Sequence, residues 1–315
     1  MIMKQYLYLI LLAANCSCVF AQTPPGLPEH TWKITLKVLD EVGNPVPHVN
    51  AGVGFFTNSQ PASIDGITDT NGLFVASQTV ESSGGGYTFG FSAEKDGYYT
   101  TRSGFYLDAK YDAVKWNPTV TLTLKKVGKP VAMYAKQYVM GLKVPEYGKP
   151  IAYDFEVGDW VGPYGKGIKK DIIFQKEYYD KGAGGYYSKV TVSFPKEADG
   201  IQVCTIPDSE KGSGLRSPHE APQDGYLAEI SREVSALHGQ PSKNEHDPNR
   251  IYLFRVRTVK NDNGKIVSAH YGKIYGDFMQ FTYYLNPTPN DRNIEFDPKQ
   301  NLIHSLDSLE QVSAP

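Results

Sequence analysis

The sequence ITLKVLDEVGNPVPHVNAGVGF at residues 34–55, followed by DGITDTNGLF at 65–74 and YTFGFSAEKDGYY at 87–99, decides the fold. Apolar and polar residues alternate within each piece, as they do in strands with one buried face. The breaks fall at Gly43-Asn44-Pro45, Asn71-Gly72 and Asp96-Gly97, whose residue types tolerate positive φ or preset a bend. These pieces therefore predict short strands joined by tight turns.

Four motifs in this region, taken in order, resemble the carboxypeptidase regulatory-like domain, a small prealbumin-like β-sandwich. They are Val38-Leu39-Asp40, Gly43-Asn44-Pro45-Val46, Thr68-Asp69-Thr70-Asn71-Gly72-Leu73-Phe74 and Lys95-Asp96-Gly97-Tyr98. The resemblance covers residues 31–128 and implies a Greek-key sandwich there. It also implies a module without catalysis of its own, because the zinc-peptidase domain of such enzymes is a separate α/β unit that nothing in this chain resembles.

The first residues have the pattern of a secretory signal peptide. Lys4 provides a positive start, YLYLILLAA at 6–14 an apolar segment, and Val19-Phe20-Ala21 a cleavage site before Gln22. The alternative is a lipid anchor on Cys16 or Cys18, but the residues before each cysteine lack the usual pattern, so we expect none. No later segment is apolar enough to span a membrane. We expect an exported protein that is periplasmic, cell-surface or secreted.

Composition narrows the class of protein further. Removal of the signal peptide leaves Cys204 as the only cysteine, so no internal disulfide is possible. The net charge is −2 with both signs interspersed, which argues against a nucleic acid as partner. With 315 residues the chain is long enough for two domains with separate cores.

The pattern along the chain predicts an all-β protein built from two tandem antiparallel β-sandwich domains. The expected parts are a signal peptide at 1–21, a Pro-rich leader at 22–30, the regulatory-like sandwich at 31–128, a linker at 129–150, a β-rich domain of unknown function at 151–300 and a tail at 301–315. Within the linker, VAMYAKQYVMGLKV at 131–144 suggests a short edge strand or an interface segment. Asn301–Val312 suggests a short terminal helix, and Lys265–Tyr284 a single strand. Asn261-Asp262-Asn263-Gly264 predicts a hairpin.

The second half is similar to uncharacterised exported bacterial proteins, notably at residues 254–278 and 283–302. This resemblance implies no activity and no site residues.

The sequence offers weak candidates for chemistry. His238, His246 and Asp247 lie in one polar stretch but lack zinc-ligand spacing, so we expect no metal and no other cofactor. Ser213 and Ser217 have only His219 nearby and no nucleophile elbow. The acidic pairs are Asp154 with Glu156 and Asp291 with Glu295, and such pairs are common in any chain with 34 acidic residues. We therefore expect no enzyme, while a hydrolase whose site lacks a local motif stays open.

The aromatic content is the least ordinary feature, since Phe, Trp and Tyr make up 12% of the chain and 22 residues are tyrosines. Several rings stand beside glycines and prolines, where amphipathic rings suit stacking on sugars or docking on proteins. The candidate ligand-binding residues are Trp160, Tyr164, Tyr186 and Tyr187. They favour an interaction or surface module with a protein or glycan partner at the cell envelope. The alternative is a glycan-binding accessory protein that uses aromatic loops of the second domain.

Overall fold

The turns of the deciding stretch are held by aspartates. Asp40 Oδ1 accepts the backbone N–H groups of Val42 and Asn44 at 3.0 and 2.7 Å. Asp69 does the same for the turn that contains Gly72, whose φ of 70° is the left-handed conformation that glycine adopts without strain. These two aspartates accept hydrogen bonds from backbone N–H groups two and four residues ahead, and they thereby stabilise the turns between strands.

A computed structural model describes residues 29–56, 62–81, 86–108, 117–182, 185–245, 247 and 249–315, and nearly all regular structure in them is β. The predicted signal peptide and most of the leader lie outside these residues. The strands of the first domain are β1 (Glu29–Leu39), β2 (Asn50–Phe56), β3 (Ala62–Ile67), β4 (Leu73–Glu81), β5 (Gly86–Glu94), β6 (Thr101–Asp108) and β7 (Thr119–Thr123).

These strands form a sandwich of two sheets, in the orders β4-β1-β7 and β3-β2-β5-β6. Consecutive strands repeatedly change sheet, as in a Greek key, and residues such as Trp32, Leu36, Val53 and Phe89 from both sheets fill one core. The pairing of β1 with β7 is parallel, whereas the other pairs are antiparallel. Strand β3 was not predicted, because ASIDGI is only six residues long and none of its side chains is fully buried.

Twelve strands lie in the described residues of the second domain. They are β8 (Val131–Gln137), β9 (Pro150–Asp154), β10 (Asp159–Trp160), β11 (Ile172–Gly182), β12 (Gly185–Ser193), β13 (Gly200–Cys204), β14 (Glu229–Ala236), β15 (Lys243–Asn244), β16 (Ile251–Lys260), β17 (Ile266–Gly276), β18 (Phe281–Leu285) and β19 (Phe296–Asn301). A single 3-10 turn at Asp208–Glu210 follows β13.

Two six-stranded sheets form this second sandwich, in the orders β10-β9-β11-β12-β14-β15 and β13-β16-β17-β18-β8-β19. The core between them includes Tyr153, Phe174, Phe254 and Tyr283. A separate apolar cluster that includes Leu253, Tyr275 and Phe296 covers the other face of the second sheet. Strands β16 to β18 are thus largely buried on both faces, and their buried side chains include Arg255 and Lys273 as well as apolar residues.

Three expectations for this half are corrected. Residues 131–137 lie within the expected linker, yet they form β8 between β18 and β19, an interior and not an edge position. The single strand expected at Lys265–Tyr284 is two strands, since Gly276 adopts a φ of 98° and a turn joins Asp277 to Gln280. Residues 301–315 form turns and extended chain instead of a helix, because buried Val312 anchors them to the second sheet.

The two domains meet at the edge of the first. The N–H of Arg102 in β6 donates to the carbonyl of Gly212 at 2.8 Å, and the N–H of Gly214 donates to Thr100 at 2.9 Å. A Cβ at Gly212 would overlap the carbonyl of Arg102, so glycine permits this close backbone approach. The segment 212–214 therefore satisfies hydrogen-bonding groups at the edge of β6 that would otherwise be exposed.

Candidate functional site

Trp160 lies in the core of the second domain, so the expectation of an exposed loop ring is wrong. Its side chain is 8% exposed and meets Tyr153 and Phe174 edge-on, with ring centroids 5.3 and 5.7 Å apart. The cause is the short antiparallel pairing of β10 with β9, which places Trp160 opposite Tyr153. The glycine-rich turn at residues 161–167 follows this pair in the chain, so Trp160 itself belongs to β10.

The rim of Trp160 also lines an open cavity of 410 Å³. Tyr138, Met140, Asp159 and Asp307 are among its other walls. The hydroxyls of Tyr138 and Tyr153 form a hydrogen bond behind it. None of Tyr164, Tyr186 and Tyr187 lines this cavity, so the structure does not join the four sequence candidates into one pocket.

Tyr164 is 39% exposed on the segment after β10. Its hydroxyl donates to Glu146 Oε2 at 2.9 Å, and the other oxygen of Glu146 pairs with Lys149 at 2.6 Å. The hydrogen bond to the carboxylate raises the pKa of Tyr164, so the phenol stays protonated and acts as a donor. This contact holds the ring at the surface.

The hairpin of β11 and β12 carries tyrosines on both faces. We define the tyrosine hairpin as Tyr178, Tyr179, Tyr186 and Tyr187. Tyr179 and Tyr187 stand directly opposite each other on one face, with centroids 5.9 Å apart. Tyr178 and Tyr186 belong to the other face, where Tyr147 packs beside Tyr178, also at 5.9 Å. Beyond Gln175, β9 no longer runs beside β11, which leaves these rings accessible.

Charged side chains surround the face that holds Tyr179 and Tyr187. Lys189 on β12 lies directly opposite Glu177 on β11 and Glu233 on β14 in the strand register. The ammonium of Lys181 lies 5.3 Å from the centre of the Tyr179 ring. Partial burial, with the nearby Glu233 and Glu177, raises the pKa of Tyr187. This face therefore combines two flat rings with donors and acceptors of both charges.

A polar network that the sequence did not reveal lies between the domains. Glu295 accepts the Tyr99 hydroxyl at 2.6 Å and the backbone N–H groups of Gly128 and Lys129 at 2.8 and 2.9 Å. The ring of His219 lies 3.2 Å from Glu295 and 3.2 Å from Glu41 of the first domain. Burial opposes the charge of Glu295, but these donors outweigh it and lower its pKa.

Beside this network, Ser217 lies against a lysine and a tyrosine. Lys273 Nζ and the Tyr275 hydroxyl each lie 3.1 Å from Ser217 Oγ, and Lys273 is 0% exposed. Burial lowers the pKa of Lys273, and its positive charge lowers the pKa of Tyr275 although burial opposes this. Lys273 and Tyr275 come from a strand far from Ser217 in sequence, so no local motif indicates the cluster.

This cluster has the chemistry of an activated hydroxyl but not the access. A lysine with a lowered pKa beside a serine is an arrangement that can activate a nucleophile. Ser217 is fully buried, however, and the neighbouring cavity is lined by Tyr275 and not by Ser217. A substrate therefore does not reach Ser217 Oγ in this conformation.

The other candidates for chemistry have structural roles. Asp154 accepts four backbone N–H groups, and Glu156 pairs with Lys169 and Arg257. Asp291 caps the turn before Asn293. Across the part of the chain that the structure describes, no group of three or more histidine, cysteine or acidic side chains could hold a metal. His246 lies outside that part, and Cys204 is a free thiol.

The described residues contain no helix long and apolar enough to cross a membrane.

No family model and no curated protein matches the chain. Among solved structures it is similar to 3-chlorocatechol 1,2-dioxygenase from Rhodococcus opacus, at 14% identity over 33% of this chain and 62% of that one, with a TM-score of 0.24. The chain thus covers less than two thirds of that enzyme.

Two bacterial proteins align over more of the chain. The SpaA shaft pilin from Lactobacillus rhamnosus GG is 12% identical over 77% of this chain and 93% of that one, with a TM-score of 0.24. A putative membrane-associated protein of unknown function from Bacteroides fragilis is 12% identical over 83% and 99%, with a TM-score of 0.20. At such scores these likenesses carry no argument about this chain.

Proposed function

We propose that the protein is an exported, non-enzymatic interaction module that binds a partner protein at the cell envelope through its tyrosine hairpin. The observation that carries this proposal is the exposure of tyrosine rings on both faces of one hairpin: Tyr179 is 51% and Tyr186 37% exposed. Tyrosine gives a large contact area and a polar tip, and it is enriched where proteins bind each other. The predicted signal peptide and the resemblance of residues 31–128 to a non-catalytic domain agree with this role.

A glycan is the second candidate partner. It is favoured by the face that holds Tyr179 and Tyr187, where two neighbouring rings are bordered by Glu177, Lys189 and Glu233. Flat rings suit the apolar face of a sugar, and bordering charged groups suit its hydroxyls. A glycan would contact only the face that holds Tyr179 and Tyr187, whereas a protein partner would contact both faces of the hairpin.

Binding screens against an envelope-protein array and a glycan array test the proposal and separate the two partners. For any hit, the double variant Tyr179→Ala/Tyr187→Ala should bind at least about 30-fold more weakly, because removing even one hot-spot aromatic side chain costs about 2 kcal/mol or more. The matched control is Tyr106→Ala, an exposed tyrosine on β6 of the first domain, which should bind as the unmodified protein does.

The partner class follows from which array gives the hit. A glycan whose binding also depends on Tyr178 and Tyr186 would contradict the assignment of glycan binding to the face that holds Tyr179 and Tyr187. Hits on either array that the double variant leaves unchanged would overturn the proposed site.

A further inference from the structure

Strand β4 leaves one edge of the first domain open. It is the end strand of the sheet β4-β1-β7, and with nine residues it is the longest strand that ends a sheet in the described part of the chain. At the other end of that sheet, β7 meets the second domain, since Thr123 Oγ1 lies 2.9 Å from Ser209 Oγ. The open edge of β4 therefore lies on the opposite side of the sheet from this contact.

The backbone at this edge has hydrogen-bonding groups to offer. The N–H of Val38 donates to the carbonyl of Gly72 at 2.8 Å, in the register that pairs β1 with β4. Because hydrogen-bonded pairs alternate along an antiparallel ladder, the even-numbered residues of β4 bond to β1, while Val75, Ser77 and Thr79 direct their backbone groups outward. The N–H and C=O groups of Val75 and Ser77 bond to no residue that the structure describes.

Most other sheet edges have features that prevent the addition of a strand. Strands β10 and β15 have two residues each, and β19 contains Pro298 and a register shift. Leu227 pairs with Ile201 of β13, and the segment 212–214 covers part of β6. From Leu73 to Thr79, by contrast, β4 has no proline, no charged side chain and no register shift. A long, regular and uncharged edge of this kind favours pairing with another strand.

The sequence of β4 matches a second copy of itself. A two-fold axis at Ser77 pairs the whole strand with its copy, so that Ser77 lies opposite Ser77 and Val75 lies opposite Thr79 of the second copy. These are the residues whose backbone groups point outward, and the pairing brings no like charges of β4 together. Val75 and Thr79 are both β-branched, a type of side chain that packs well across neighbouring strands.

We propose that two copies of the protein form a dimer in which their β4 strands pair antiparallel about this axis. The pairing joins two three-stranded sheets into one sheet of six strands. It also uses the open edge of β4 in both copies, so the assembly closes at two chains and does not continue into a fibre.

Sedimentation equilibrium of the purified protein without its predicted signal peptide tests this inference. We expect a reversible equilibrium between monomer and dimer, with no larger species. Ser77→Lys should raise the dissociation constant of the dimer about fivefold or more, because two lysines would stand directly opposite each other at the axis. Ser77→Glu should do the same. The matched control is Val42→Lys, at a residue that is 81% exposed in the turn held by Asp40, and it should dimerise as the unmodified protein does.

An equimolar mixture of the two charged variants guards against loss of folding in either one. In the mixed dimer a lysine stands opposite a glutamate, so the mixture should dimerise more strongly than either variant alone. The proposal is overturned if the unmodified protein is a monomer at about 100 µM, or if both charged variants dimerise as it does. It is also overturned if the mixture associates no better than the separate variants, because the two Ser77 positions would then not face each other.

Discussion

The side chain of Trp160 shows that local composition can misjudge burial in this protein. Trp160 stands in a segment with four glycines and a proline, a composition that predicts a surface loop. The two-residue strand that precedes the turn is invisible to periodicity, yet its pairing with β9 is enough to turn the ring inward. Tyr164, four residues later, stays outside.

Trp160→Ala should therefore destabilise the second domain. Removing a large buried aromatic side chain costs about 3–5 kcal/mol through lost burial and the cavity left behind. Thermal and urea unfolding of the variant measure this cost. Tyr164→Ala, which removes an exposed ring from the same segment, should cost less than about 1 kcal/mol. Similar unfolding midpoints for the two variants would mean that Trp160 is not part of the core.

At the scale of strands and turns, the positions of glycines help to determine where each strand ends. Gly276 ends β17 with a φ of 98°, and a Cβ there would overlap the carbonyl oxygen of Gln280. Gly264, in the turn between β16 and β17, has a φ of 74° but open space around it. Alanine at Gly264 would therefore add backbone strain alone, whereas alanine at Gly276 would add steric overlap as well.

Gly264→Ala should lower the free energy of unfolding by about 1–2 kcal/mol, the usual cost of a left-handed alanine. Gly276→Ala should cost clearly more, because the turn that separates β17 from β18 must also open. Urea unfolding of the two variants gives both costs directly. Equal costs would show that the turn at Gly276 yields without loss.

The sequence predicted most strands of this fold, and its failures have physical causes. Alternation with one buried face predicted strands in the segments that form β1, β2 and β5. Strands β17 and β18 were predicted as one strand, because strand-forming residues continue on both sides of the turn at residues 276–280. Of the candidate site, Tyr186 and Tyr187 were found from composition. Lys273 and Tyr275 were not, because their environment depends on contacts between distant segments.

At the scale of the whole molecule, Glu295 of the second domain links the two domains by accepting a hydrogen bond from Tyr99 of the first. Its pKa is lowered in the folded protein because Tyr99, His219 and two backbone N–H groups bond to the carboxylate. A lowered folded pKa means that this stabilisation is fully present above the ordinary glutamate pKa of about 4.3. It is lost as the pH falls through the folded value.

The melting temperature of the protein should consequently fall more steeply between about pH 5 and pH 3 than that of Glu295→Gln, which cannot take up the proton. At pH 6 the variant should already melt lower, since it lacks the charged acceptor. Glu220→Gln, at a surface pair with Arg292, should follow the unmodified protein across the whole range. Parallel curves for Glu295→Gln and the unmodified protein would exclude this role.

The parallel pairing of β1 with β7 has a mechanical consequence. The chain enters the first domain at the start of β1 and leaves it at the end of β7, so tension pulls these neighbouring strands lengthwise in opposite directions. Their five paired positions from Thr35 to Leu39 then carry the load together instead of opening one after another. Strands β8 and β19, the first and last of the second domain, also run parallel and adjacent. Under tension, the protein would therefore resist unfolding mainly at these two parallel pairs of strands.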